Sequence, residues 1–150
     1  MIAPAARLVA FALLLAASPV LAGDLVVLNG WTRALPPGAS VGAGYLTIVN
    51  GTDAPDRLVA VRASFARGAM LHDTATENGV MRMTPLADGL SVGAAETVRL
   101  EPGGPHLMFT DVFAPPRTGE RVSVTLVFER AGAIAAELQT VPPGAPAPGR

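Results

Sequence analysis

A run of strict alternation near the C-terminus constrains this chain more than any other feature. In Arg121-Val122-Ser123-Val124-Thr125-Leu126-Val127-Phe128-Glu129, the residues Val122, Val124, Leu126 and Phe128 share one face of an extended chain, because successive side chains of a strand point to opposite sides. That is a strand with one face in a core, and no helical spacing competes with it. Further runs read the same way: Leu25 to Trp31, Ala43 to Val49, Arg57 to Ser64, Gly79 to Pro85, Thr97 to Leu100, His106 to Val112 and Ile134 to Val141. Turn signals separate them, among them Pro36-Pro37-Gly38, Asn50-Gly51-Thr52-Asp53, Glu77-Asn78-Gly79, Asp88-Gly89 and Pro102-Gly103-Gly104, where glycine, proline and asparagine supply the turn conformations. About seven to nine short strands at near-regular spacing predict an all-β, Greek-key β-sandwich.

Both ends stand apart from that domain. Arg7, the apolar run Leu8 to Ala17 and the small-x-small triplet Val20-Leu21-Ala22 match the three regions of a secretory signal peptide. Pro19 interrupts the run, which is shorter than the roughly 20 residues of a spanning helix. Residues 1–22 are therefore expected to be removed, leaving a mature chain from Gly23 or Asp24 that works outside the cytoplasm with no stable membrane insertion. Residues 23–141 form the expected domain. The ending, Pro142-Pro143-Gly144-Ala145-Pro146-Ala147-Pro148-Gly149-Arg150, lacks the donors to pair as a strand, and is expected to be a disordered tail over 142–150.

Composition removes several classes of function. Zero cysteine excludes disulfide staples, zinc ribbons, thiol nucleophiles, blue-copper sites and a lipid-modified N-terminal cysteine. Eleven basic residues against 12 acids, a net charge of −1, form no basic stripe for a phosphate backbone, so nucleic acid is not an expected partner. Gly38-Ala39-Ser40-Val41-Gly42 fits the letters of a hydrolase nucleophile elbow. An elbow, however, joins a strand to a helix, and this segment leads into a strand. Asn50-Gly51-Thr52 matches a glycosylation sequon and is more simply a turn. With no substrate-orienting groups for redox turnover, the chain is not expected to be an enzyme.

Methionine and histidine carry the chemical signal. Beyond the initiator there are four methionines, Met70, Met81, Met83 and Met108, and two histidines, His72 and His106, all between positions 70 and 108. On strands, Met70 with His72, Met81 with Met83, and His106 with Met108 form three same-side pairs. Thioether is a soft ligand and imidazole a borderline one, so such a mixture suits Cu(I) better than zinc, calcium or magnesium. The plain alternative is packing, since methionine commonly fills cores and a lone histidine is seldom a ligand. Met81 is expected in the core or under the site, and Trp31 and Tyr45 as core aromatics.

At this point the chain resembles a known family. His72-Asp73-Thr74-Ala75-Thr76-Glu77-Asn78-Gly79-Val80-Met81-Arg82-Met83, followed by Pro102-Gly103-Gly104-Pro105-His106-Leu107-Met108, is similar to the periplasmic copper chaperones called PCu(A)C, in which a histidine, a methionine and a His-x-Met supply the Cu(I) ligands. Gly30 to Ala34, Pro36 to Gly38, Gly44 to Asn50, Asp56 to Leu58 and Thr125 to Glu129 also look like family segments. The resemblance implies a cupredoxin-like fold and one Cu(I) per chain, held by His72, Met83, His106 and Met108. Met70 is either an accessory ligand or core. It further implies a monomeric periplasmic chaperone whose partner is a copper-accepting protein, either an oxidase subunit or a Sco-type factor of cytochrome oxidase assembly. A copper-sequestering resistance protein and an interaction sandwich without metal are the alternatives.

Overall fold

A computed structural model describes residues 24–149, so the expected signal peptide at 1–22 lies outside the described residues. The described residues form ten strands and no helix. These are β1 (Leu25–Arg33), β2 (Gly42–Asn50), β3 (Asp56–Ala63), β4 (Ala66–Glu77), β5 (Val80–Pro85), β6 (Leu90–Val92), β7 (Thr97–Leu100), β8 (His106–Val112), β9 (Arg121–Phe128) and β10 (Gly132–Val141). Hydrogen bonds join them in the order β5-β4-β8-β2-β1-β10-β9-β3-β6, with β7 sharing an edge of β2 with β8. Every pair is antiparallel except β1 with β10.

The mixed sheet folds around one core, because inward residues of strands far apart in the ladder meet there. Val124, Leu126 and Phe128 of β9 point in, as the alternation requires, and join Leu46, Ile48, Leu58, Leu71, Leu107, Phe109 and Leu138. Each buried aliphatic or aromatic side chain of this kind stabilises the fold by roughly 1.5–3 kcal/mol. The ladder exceeds the expected strand number through β4 and β6. The first of these lacks the β-branched alternation that marks a strand, and the second is three residues long.

A bulge in β1 decides which face Trp31 occupies. Leu25 and Val27 face the core while Val26 and Leu28 are exposed, so continued alternation would send Trp31 inward. The register shifts between Leu28 and Trp31, where Asn29 adopts a positive φ of 54°. The inserted residue exchanges the two faces. Trp31 then pairs with Tyr45 on the outer face, in a small cluster with Val141, Ala43, Ala145 and Ala147. The two aromatics are buried, as expected, but apart from the main core.

The C-terminal segment departs from the sequence expectation. Ala145 and Ala147 pack against the cluster of Trp31, Tyr45 and Val141, and Arg33 donates from Nε and Nη2 to the Ala145 carbonyl at 3.3 and 3.2 Å. Proline bars the segment from a ladder, yet a stiff extended chain can still seat on aromatic rings.

The bulge also brings Gly30 against β10, where an added Cβ would collide with the Glu137 carbonyl oxygen and the Leu138 side chain. Gly30→Ala should therefore lower stability by about 1–3 kcal/mol, measured from the denaturant midpoint. An unchanged midpoint would show that β1 and β10 can separate freely there.

Candidate metal site

Alternation on β4 and β8 builds the site. Leu71, Leu107 and Phe109 enter the core, so Met70, His72, Thr74 and Thr76 of β4 and His106 and Met108 of β8 occupy the opposite face. Met70 pairs across with Met108, and His72 with His106. The β4–β5 hairpin extends this surface beyond the core. Its turn places Asn78 and Gly79 at φ 51° and 77°, the Asn-Gly geometry that two-residue hairpins require. Met83 then lies opposite Thr74, Met81 opposite Thr76 and Pro85 opposite His72.

The four predicted ligands consequently share one face of three adjacent strands. The imidazoles are central, their ring centroids 6.0 Å apart and planes inclined by 21°. Met83 lies diagonally to one side of them and Met108 to the other, in a register that long side chains can bridge. Both histidines are buried, His72 at 7% and His106 at 4% exposure, although they sit on the outer face. Met83 is 57% exposed, and Met108 is partly buried.

One sequence expectation needs correction here, and one open alternative is narrowed. Met81 is 64% exposed, neither core nor a layer beneath the site, because the hairpin carries β5 past the body of the sheet. Met70, at 41% exposure, is likewise not core. It faces Met108 across the strands.

The two imidazoles are prepared differently. The Nδ1 of His106 lies 2.9 Å from the Gly104 carbonyl, which can only accept, so this nitrogen carries the proton and Nε2 keeps its lone pair. A carbonyl partner of this kind fixes ring orientation and tautomer in metal-ligating histidines. The Nδ1 of His72 is buried without a hydrogen-bond partner. Leaving such a group unsatisfied costs roughly 1–3 kcal/mol, and a soft cation between the rings would relieve that cost. Burial, and secondarily repulsion from His106, push the His72 pKa below its ordinary value. Among the described residues no three of His, Cys, Asp and Glu come together, so the donor set is two imidazoles with thioethers around them.

Sequence reasoning did not find the neighbours of this pair. Tyr45 lies against His106, with ring centroids 6.5 Å apart, and Trp31 lies against Tyr45 at 4.5 Å. Alternation along Ala43 to Val49 could have placed Tyr45 on this face. The bulge at Asn29 concealed Trp31.

This all-β fold has solved relatives. A copper-bound PCuAC domain from PmoF2 superposes with a TM-score of 0.67 at 26% identity, covering 81% of this chain and 96% of that one. The Cu(I) form of DR1885 from Deinococcus radiodurans gives 0.63 at 26% identity over 81% of each chain. Its apo form gives 0.60 at 26% identity, over 95% of this chain and 93% of that one. A model of the LpqE-like family matches residues 25–140. The protein "Putative lipoprotein Lxx21020" of Leifsonia xyli subsp. xyli (strain CTCB07) is 32% identical over 107 residues, which are 71% of this chain and 63% of that relative. The chain belongs to the LpqE-like family, of PCu(A)C type, and has the cupredoxin-like β fold of those domains.

The sign of the His72 shift can be checked directly. A histidine with a depressed folded pKa adds stability that is present above its unfolded value of about 6.5 and lost as pH falls through the folded value. In the metal-free protein, NMR titration should give His72 a pKa below 6.5. The unfolding free energy should decline as pH drops from about 6.5 toward that lower value, and level off below it. A His72 titrating at or above 6.5 would contradict the buried, unpartnered imidazole.

Proposed function

We infer that this chain is an exported Cu(I) chaperone, carrying one copper ion on the outer face of β4, β5 and β8 and passing it to another protein. The observation that carries the reading is the buried, paired His72 and His106 with Met83 and Met108 on either side in register. The copper-bound relatives of the same fold support it. Copper is the cargo. His72 and His106 would bind as neutral imidazoles, the latter already held by Gly104, while Met83 and Met108 would supply the soft sulfurs that favour Cu(I) over Cu(II).

Release follows from the exposure gradient across the site. The imidazoles are buried, whereas Met83 stands in solvent on an edge hairpin. An incoming donor could displace that thioether first and take the ion stepwise, without requiring the sheet to open. We assign the acceptor to cytochrome oxidase copper-site assembly, either an oxidase subunit or a Sco-type factor with thiol donors. Export would rest on the segment at 1–22, and the compartment would be the periplasm. The related protein from Leifsonia is called a lipoprotein, but this sequence has no cysteine to carry a lipid.

Anaerobic competition between the purified protein and a chromogenic Cu(I) chelator tests the reading. The parent should take one equivalent, and Met83→Leu and His106→Ala should each weaken it. The loss should be at least the roughly 10–100-fold that changes in outer-shell partners produce. Binding should also weaken in acid as the imidazoles protonate. Equal affinity in all three proteins, or no uptake by the parent, would make the cluster a packing feature. Copper transfer from the loaded protein to a Sco-type acceptor, against none to a protein without thiols, separates delivery from sequestration.

A further inference from the structure

The C-terminal segment forms a strap beside the candidate site. After β10 it turns at Gly144, with φ 76°, and the Ala145 N–H donates to the Pro142 carbonyl. Ala145 and Ala147 then pack against the outer cluster of Trp31, Tyr45 and Val141. Arg33 fastens the segment, its guanidinium carbon 5.1 Å from the Trp31 ring centre and 6.0 Å from that of Tyr45, while two of its nitrogens donate to the Ala145 carbonyl. A proline-rich segment has little conformational freedom to lose on docking, and aromatic surfaces are its usual seat.

Beneath the strap runs an unbroken series of ring contacts leading to the imidazole pair. Trp31 meets Tyr45 at 4.5 Å, Tyr45 meets His106 at 6.5 Å and His106 meets His72 at 6.0 Å. The Gly104 carbonyl holds the Nδ1 edge of His106, and neighbouring rings pack beside the imidazole. His72 lies on one side of it and Tyr45 on the other. Tyr45, set on β2 opposite Trp31, belongs to the outer cluster rather than the main core, and that cluster is the one the strap packs against.

We propose that residues 142–149, clasped by Arg33, are a positioning element that presses Trp31 and Tyr45 against His106, holding its imidazole in the orientation that binds Cu(I) and keeping water from it. This rests on the reading of His106 as a ligand. It adds the chain's own terminus and an aromatic pair to the parts that set copper affinity.

Four variants of the mature chain test it: termination after Val141, Arg33→Gln, Tyr45→Ala and Tyr45→Phe. Trp31 is the only tryptophan, so its emission reports the strap directly. Termination and Arg33→Gln should shift that emission to the red and weaken Cu(I) binding by about 10–100-fold, the range for outer-shell changes. Tyr45→Ala should weaken copper equally, and Tyr45→Phe, which keeps the ring against His106, should bind like the parent. A red shift with unchanged Cu(I) affinity would reduce the strap to a cover for the aromatics and overturn the proposal. So would an unshifted emission, or a Tyr45→Phe variant as weak as Tyr45→Ala. If the terminated chain fails to fold, Arg33→Gln carries the same test. A parent that takes up no Cu(I) overturns the proposed function itself, a result read before any variant is compared.

Discussion

The direct pairing of His72 with His106 across β4 and β8 is the constraint on which the site depends. Because side chains alternate with a period of two, a slip of one residue between these strands would turn one imidazole into the core and bring a leucine out. The neighbouring pair, Leu71 with Leu107, prevents that slip. Both leucines are buried in the main core, and exposing either would cost roughly 1.5–3 kcal/mol. The hydrophobic core thus sets the register of a polar site on its opposite face. Met70 and Met108 on one flank, and Met83 on the other, take their positions from the same register.

The site works against the stability of the fold that holds it. Two imidazoles are buried side by side, one has a ring nitrogen without a partner, and burial together with repulsion from His106 discourages His72 from taking a proton. A protein selected for stability alone would place apolar residues there. An unsatisfied buried donor set in an otherwise well-packed sheet is what a captured cation would complete. The exposed thioethers have the opposite character. Met81 and Met83 stand on an edge hairpin outside the core, where a ligand can be exchanged without disturbing packing.

Much of this was legible in the sequence, and what was not has identifiable causes. The period-2 runs marked eight of the ten strands, and the turn residues marked their boundaries. β4 was missed because Ala66 to Glu77 has alanines at inward positions such as Ala69, where β-branched residues would signal a strand. That omission mattered little for the site, since the i, i+2 spacings of Met70 with His72 and His106 with Met108 already implied a shared face. Met81 was misplaced because spacing reveals a side chain's face but not whether the strand extends beyond the core. The outward turn of Trp31 depends on one inserted residue at the Asn29 bulge, which alternation cannot register. The docking of the terminal segment was hidden for a related reason. Proline content excludes a ladder, but it does not exclude a seat on two aromatic rings that the bulge has brought to the surface.

X-ray absorption at the copper edge, on the purified mature protein loaded anaerobically with one equivalent of Cu(I), tests the central claim most directly. The account predicts a Cu(I) edge with a mixed shell of imidazole nitrogen and thioether sulfur, and loss of sulfur scattering in a Met83→Leu, Met108→Leu double variant. A shell of nitrogen and oxygen alone, or one unchanged in the double variant, would contradict the assignment of copper to the face shared by β4, β5 and β8.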